Sequence, residues 1–275
     1  MVAAAGASER ERLDVVLVER GLAPSRAKAQ ALILAGRVLS SGKRLEKPGQ
    51  RIPRGTPLEI REARRYVGRG GHKLEGALRH LAIDATGRDA LDVGASTGGF
   101  TQVLLEAGAR RVVALDVGRG QLDWSLRRDP RVHVLEGFNA RHLAPAVLPF
   151  LPSLAVVDVS FISLELVLPG VVSCLTETGE IVALVKPQFE VGRGLVGRGG
   201  IVRDIRLHRD VLRSFGRLAA ERDWGIVDLA PSAIRGAEGN QEYFIHFRPS
   251  SAGLAPAALA HRIRKATAED AEEGA

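Results

Sequence analysis

Between Asp84 and Lys186 five short apolar runs, ALDVG (90–94), RVVALDV (111–117), RVHVLEG (131–137), LAVVDVS (154–160) and EIVALVK (180–186), alternate with helical stretches such as TQVLLEAGA and the segment around LELVLPGVVSCL. A chain that repeats strand and helix in this way lays its strands parallel in an open sheet and covers the faces with helices. The last part breaks the pattern. A long polar-faced helix over Asp204–Arg222 leads to WGIVDLAPSAI, a glycine-containing loop RGAEGN, and QEYFIHF. Two strands joined by a loop predict an antiparallel hairpin at the end of a seven-stranded sheet, where a simple dinucleotide fold would continue in parallel.

The residues before this sheet read differently. RLDVVLVERG places Leu13, Val16, Leu17 and Arg20 on one helical face and stops at Gly21. A second helix, RAKAQALILAG, has Ser25 as its cap and Gly36 as its terminator. RVLSSGKRLE, turning at Ser41-Gly42, is followed by QRI and PLEI as short β pieces. The expected divisions are a small α+β domain over 10–62, a basic glycine-rich connector over 63–72, an α/β domain over 73–250, and a flexible tail over 251–275 that includes a short helix and an acidic end. Tyr66 in the connector reads equally as a docked side chain or as a platform for a base.

Charge is divided unevenly. Residues 1–80 carry 17 Lys and Arg against 8 Asp and Glu, and the other 195 carry 22 against 24. Positive charge confined to one end is what a module that touches a polyanion needs, although a solvated basic face gives the same count. Composition, at 45% apolar and 26% charged, is that of a globular chain. No apolar run is long enough to span a bilayer, and the N-terminal stretch lacks the pattern of a secretory signal. The single cysteine, Cys174, excludes an internal disulfide or a multi-cysteine metal cluster, and the seven histidines show no ligand spacing. The expectation is a cytoplasmic protein without a metal or stable membrane association.

The sharpest motif is Leu91-Asp92-Val93-Gly94-Ala95-Ser96-Thr97-Gly98-Gly99-Phe100, a strand running through a glycine turn into a helix. Glycines let the backbone approach a ligand at the carboxyl end of the first strand, where open α/β sheets bind nucleotides. The spacing G-x-x-x-G-G matches neither the dinucleotide nor the phosphate-loop pattern. Asp116 closes the next strand, where a carboxylate can accept from two ribose hydroxyls. Together these features resemble the class I S-adenosylmethionine-dependent methyltransferases, a Rossmann-like fold, in preference to the dehydrogenases. The resemblance implies S-adenosylmethionine as cofactor, with Asp92, Gly94, Ala95, Ser96, Gly98, Gly99 and Phe100 around its methionine part, Asp116 on the ribose and Asp158 nearby. Either Glu136 or Asn139 would face the adenine, with Asn139 preferred.

Residues 12–60 resemble the S4-type RNA-binding domain. That likeness implies RNA contacts from Arg26, Lys28, Arg37, Lys43 and Arg44, to which Arg12, Arg65 and Arg69 are added as neighbouring cations. Asp158 ends the fourth strand and Lys186 the fifth, positions where a charge belongs to solvent or to a site. Lys73 in GGHKLEGAL and Glu242 in GNQEYF read on their own as ordinary exposed charges. In the order Lys-Asp-Lys-Glu the four resemble the tetrad of the FtsJ-like ribose 2′-O-methyltransferases. By that likeness Lys186 is general base or alkoxide stabiliser, Asp158 orients it, and Lys73 and Glu242 tune charge and hold the ribose.

The motif order, with RxxYVGRGGHKLEGAL, DVSFISL, VKPQFEVGR, GRGGIVRD and GNQEYF, resembles the TlyA family over nearly all of residues 10–248. Arg64-Arg65-Tyr66 departs from members with an aromatic pair or Trp there. The resemblance implies a bacterial enzyme methylating cytidine riboses of 16S and 23S rRNA within ribosomal subunits. Two other classes compete: a membrane-active cytolysin, in keeping with the label hemolysin that some members carry, and a non-catalytic RNA-binding assembly factor.

Overall fold

A computed structural model describes residues 9–61 and 65–268. The part of the expected connector at 62–64 and the acidic end at 269–275 lie outside the described residues. The chain divides into two units, residues 1–65 and 66–275.

In the first unit, helices α1 (Leu13–Glu19) and α2 (Arg26–Leu34) pack through Leu13, Val16, Leu17, Ala29 and Ile33, all buried. Ser25 caps α2 by accepting from Lys28 N at 3.3 Å. The hairpin of β2 (Val38–Ser40) and β3 (Lys43–Arg44) turns at Ser41-Gly42, and β5 (Glu59–Ile60) joins β2 on its other side. One strand went unread in the sequence. β1 (Arg10–Arg12) precedes α1 and pairs antiparallel with β4 (Arg51–Pro53), its three charged residues hiding any strand pattern.

The second unit opens with α3 (Gly70–His80), which begins inside the expected connector. Tyr66 is buried, its ring edge-on to His72 at 5.0 Å and packed so closely on Gly71 that a β-carbon there would overlap it. It docks within this unit, so the boundary falls before Tyr66 and not at Lys73.

The sheet comprises β6 (Asp89–Val93), β7 (Arg111–Asp116), β8 (Val132–Glu136), β9 (Leu154–Val157), β10 (Glu180–Val185), β11 (Gly225–Pro231) and β12 (Tyr243–Arg248). Its order is β11-β12-β10-β9-β6-β7-β8, with β12 antiparallel to both of its neighbours and the other pairs parallel. The hairpin read from the sequence is therefore present, with β12 inserted beside β10 and β11 at the edge. Strands β6, β9 and β10 are buried along their whole length, which explains why their text is apolar apart from the buried acids Asp89, Asp92 and Glu180. Helices α3 and α4 (Gly99–Glu106) contribute Leu74, Ala77, Val103 and Leu104 to the core on one face of the sheet. On the other, α6 (Leu168–Ser173) and α8 (Ile205–Glu221) contribute Leu168, Val171, Leu212 and Phe215.

The segment from residue 251 corrects the expectation of a flexible tail. Pro256 opens α9 (Pro256–Ala266), which sets Leu259, Ile263 and Ala266 on one face, with Ile263 and Ala266 in the core beside Ile226 and Phe215. The apolar positions are few and small, so the composition looked polar while the helical spacing carried the packing.

Candidate active site

Strand register brings the charged residues together. β9 and β6 pair Val157 with Val93, so the next residues, Asp158 and Gly94, leave the sheet side by side. Gly94 has φ of +88°, and a β-carbon on it would lie 2.2 Å from the Asp158 carbonyl oxygen, so no side chain fits. Across the antiparallel pair Val185 faces Tyr243, which places Lys186 opposite Glu242 at the same edge. Lys73 reaches this edge from the first turns of α3, on the helix face that carries Ala77 into the core.

The four groups form two short ion pairs. Lys186 Nζ lies 2.6 Å from Asp158 Oδ1, and Lys73 Nζ lies 2.5 Å from Glu242 Oε2. Both lysines and Glu242 are buried. Burial pushes the Glu242 carboxyl above the usual carboxylate range, against the opposing pull of Lys73 and, further off, Lys186. Lys186 also donates to Ser160 Oγ at 2.8 Å. Ser160 was missed in the sequence, where DVSFISL drew attention only to its aspartate. A serine two residues beyond a strand end carries no signal until the lysine is placed against it.

Beside the pairs is a cavity of about 730 Å³ lined by Gly94, Ser96, Asp116, Asn139, Asp158 and Ser160, with Leu115, Phe138 and Ile162 as apolar walls. Asp116 accepts from Ser96 N and Gly118 N, both at 2.7 Å, which fixes its carboxylate at the rim. Asn139 Oδ1 accepts from Arg141 N at 3.0 Å. Glu136, the other adenine candidate, is engaged by Gly120 N and the Arg127 guanidinium and does not line the cavity.

Five residues expected around a cofactor shape the turn without lining the cavity: Asp92, Ala95, Gly98, Gly99 and Phe100. Gly98, at φ of +97°, starts α4 beneath Leu122 and Leu126. Gly99 lies against the backbone of Gly68–Gly71, and Phe100 packs near Phe244 at 6.1 Å. Ala95 is buried. Asp92 is fully buried. Its Oδ2 accepts from Thr101 Oγ1 at 2.6 Å, while Oδ1 accepts nothing among the described residues. Desolvation pushes its carboxyl up to about 7, and the nearby Asp158 charge adds to the rise.

Two further features of the rim were not legible. Phe161 is 91% exposed, adopts φ of +64°, and sits 5.1 Å from the Phe189 ring. A bulky residue held in the left-handed region and turned to solvent marks strain kept at a site. Glu190, at the end of α7 (Pro187–Glu190), accepts from Ser163 Oγ at 2.7 Å and Leu164 N at 3.0 Å. It ties the 158–164 loop to the segment that follows Lys186.

The expected RNA contacts divide in two. In the first unit Lys28, Lys43 and Arg44 are exposed. Arg12 and Arg26 instead bind the buried Asp14 carboxylate at 3.0 and 3.1 Å, and Arg37 Nε donates to Arg61 O at 2.7 Å. The Arg12 hydrogen bonds, with help from Gln30 and Arg26, hold Asp14 well below the usual range despite its burial. Part of the bonding capacity of Arg12 and Arg26 thus serves the fold. Arg65 is exposed at the end of the first unit. Arg69 belongs to the second unit, where its Nη2 donates to Arg235 O at 2.9 Å.

Comparison with known proteins places this geometry. Residues 66–249 match the FtsJ-like methyltransferase family and residues 11–58 match the S4 domain. The chain is 47% identical, over 95% of its length and 99% of the relative's, to the 16S/23S rRNA (cytidine-2'-O)-methyltransferase TlyA of Mycobacterium tuberculosis. It is 40% identical to Hemolysin A of Brachyspira hyodysenteriae over 86% of this chain and 99% of that one. A solved structure of a hemolysin-named protein from Streptococcus thermophilus superposes with a TM-score of 0.72 at 40% identity, covering 97% of this chain and 99% of the other. With an S4 domain ahead of an FtsJ-like domain and this identity along nearly its whole length, the chain belongs to the TlyA family of FtsJ-like methyltransferases.

Proposed function

We propose that this protein transfers a methyl group from S-adenosylmethionine to a ribose 2′-hydroxyl of rRNA, working on ribosomal subunits in the cytoplasm. The observation that carries the reading is the meeting of Lys186–Asp158 and Lys73–Glu242 at the sheet edge beside the cavity.

The cavity suits the cofactor in size and chemistry. Its volume lies in the range of small-molecule sites, and its few polar groups are set among apolar walls. Asp116 keeps lone pairs for a ribose diol, Asn139 offers its amide Nδ2 to an adenine edge, and Gly94 leaves room that a β-carbon would fill. When bound, S-adenosylmethionine supplies a methyl group already activated on a sulfonium, so the protein's task is to place the acceptor oxygen and stabilise it.

Lys186 does this as a cation held on two sides by Asp158 and Ser160. Its ammonium lowers the energy of the 2′-oxygen as that atom gains negative charge; where the lysine has first given up a proton to solvent, its neutral amine is the base that takes the hydroxyl proton. Asp158 and Ser160 orient it. Lys73, fixed by Glu242, adds a second positive charge within the same buried pocket. Burial of these pairs excludes water and strengthens each interaction. Phe161 offers an aromatic face at the cavity rim on which a splayed base can stack. The exposed Lys28, Lys43 and Arg44 of the S4 domain add phosphate contacts that position without reading sequence.

The test incubates unmodified ribosomal subunits with cofactor labelled on the methyl group and maps the modified atom. Label on a ribose 2′-oxygen, at a cytidine as in the named relatives, is the expected result. Label confined to a base atom would discard the reading.

A further inference from the structure

The segment after β10 is fastened along its length to the loop after β9. Lys186, Phe189 and Glu190 fall at i, i+3 and i+4, a spacing that on a helical turn gathers side chains on one side, and the turn is closed by Phe189 N donating to Lys186 O at 2.9 Å. Each of the three meets a different part of the loop over 158–164. Lys186 takes the Asp158 carboxylate and the Ser160 hydroxyl, Phe189 the Phe161 ring, and Glu190 the Ser163 hydroxyl and Leu164 N. We propose that Glu190 is a positioning residue, which by gripping the far side of this loop fixes Phe161 as the platform for the base of the nucleotide being methylated. This rests on the function proposed above and extends it.

The first ground is an acid that methyl transfer itself does not use. Glu190 is half buried and makes no ion pair among the described residues. Burial pushes its carboxyl above the usual carboxylate range, while the bonds from Leu164 N and the Ser163 hydroxyl pull it back. A carboxylate placed where burial penalises it needs strong donors, and both of its donors belong to the loop. Ser163 passes the grip onward by accepting from Glu165 N at 3.2 Å, which starts the turn Leu164–Leu166.

Strain is the second ground. The loop is anchored at Asp158, whose N donates to Val93 O at 2.9 Å, at Ser160 by Lys186, and at Ser163 and Leu164 by Glu190. Only Phe161 and Ile162 lie between the last two anchors. Ile162 packs against the core, and Phe161 is left in the left-handed region with its ring in solvent. A bulky residue stays in that region only where anchors on both sides leave it no alternative. Glu190 is the anchor on the carboxyl side. Without it, residue 161 relaxes toward negative φ and the ring leaves the cavity rim.

The third ground is the link to the chemistry. The Phe189 ring centre lies 5.1 Å from that of Phe161 and 5.8 Å from Lys186 Nζ, so platform and ammonium are set from the same short helix. A base on Phe161 and a 2′-oxygen at Lys186 belong to one nucleotide, so a small shift of one against the other takes the acceptor out of line with the methyl group.

The test measures transfer of labelled methyl to unmodified ribosomal subunits by the full chain, for the unaltered protein, Glu190→Ala, Glu190→Gln, Phe161→Ala and Glu190→Ala/Phe161→Ala. Glu190→Ala is expected to lower kcat about tenfold and to change KM for RNA less than about twofold, because phosphate contacts carry most of the affinity. Its affinity for S-adenosylmethionine, read by calorimetry, should be kept. Glu190→Gln keeps an acceptor oxygen and is expected to recover most of the loss. In the Phe161→Ala background, removing Glu190 should cost less than about twofold more, since a residue that acts through another then has nothing left to place. Equal costs in the two backgrounds overturn the proposal. So does an unchanged kcat in Glu190→Ala, with or without a lower melting midpoint, which would make Glu190 a brace of the fold alone. If Glu190→Ala does not fold, Ser163→Ala, which removes one of the two bonds, replaces it under the same criteria. The two proposals are told apart by the unaltered protein: absence of ribose methylation sinks the function above and this role with it, whereas ribose methylation with additive costs sinks only the role of Glu190.

Discussion

The two ends of the same sheet each gather buried charges, and they treat them differently. At the amino ends of the parallel strands, Asp89 is gripped by Arg110 at 2.5 and 2.7 Å and by Arg111 at 2.9 and 3.0 Å. Glu180 accepts from His246 and Arg248, each at 2.8 Å, and from Arg88. Burial acts to raise the Glu180 carboxyl, but those donors together hold it well below the usual range, and the bonds from Arg110 and Arg111 do the same for Asp89. At the carboxyl ends Asp116 and Glu136 are also well supplied with donors, but the two most deeply buried carboxyls are not. Glu242 has the single ammonium of Lys73, and Asp92 has one hydroxyl, so in both desolvation wins and the carboxyl is raised. A carboxylate surrounded by donors is a rivet. One given the bare minimum beside a cavity keeps electrostatic capacity for something that arrives later.

Substitutions at the two ends should therefore fail in different ways. Lys186→Ala is expected to reduce turnover about 10² to 10⁴-fold, measured by transfer of labelled methyl to rRNA, while calorimetry still detects cofactor binding. Full activity would remove Lys186 from the chemistry. Glu180→Gln leaves Arg88 and Arg248 facing one another without a counter-charge, and urea unfolding should show a loss of about 3 to 5 kcal/mol, with activity per folded molecule preserved. If its activity fell as far as that of Lys186→Ala, the contrast between the two ends would be wrong.

Asp92 sharpens the comparison through pH. The folded protein holds a proton up to about pH 7 that an unfolded aspartate releases near 3.8. Its contribution to stability is therefore complete below about pH 4 and falls away as pH rises toward 7. Asp92→Asn should show a flatter profile in that window, so that unfolding midpoints at pH 8 favour the variant by a few kcal/mol more than at pH 5. Parallel profiles would show that the buried carboxyl is not protonated there. The smallest effect is expected of Ser160→Ala, which removes the hydroxyl that receives Lys186. A fall in kcat of about tenfold, corresponding to roughly 1.4 kcal/mol, with KM for RNA unchanged, identifies Ser160 as a positioning residue. An unchanged kcat would leave that task to Asp158 alone.

The parallel strands were legible because both of their faces are covered, which leaves apolar runs with sharp ends. Lys186 and Asp158 stood out because charge terminates those runs. Lys73 and Glu242 did not stand out by themselves. Each sits in polar text, and only the likeness to a tetrad pointed to them; a helix start and a strand 169 positions apart meet through tertiary structure alone. The glycine turn was legible as a motif but not in detail, because sequence shows which residues permit a tight turn and not which of them face inward. Asp92 and Phe100 proved interior for that reason. The pairing of Arg12 and Arg26 with Asp14 was invisible because a lone aspartate within an amphipathic helix looks solvated. The packing of α9 was hidden by its composition.

The insertion of β12 beside β10 has a consequence for biosynthesis. Glu242 lies at the start of β12, which sits between β10 and β11, both earlier in the chain, so a nascent chain that stops before β12 lacks the partner of Lys73 and leaves the proposed lysine–acid set incomplete. On the proposed mechanism, such a polypeptide, emerging among the very RNA it is proposed to modify, stays inert until β12 has been made.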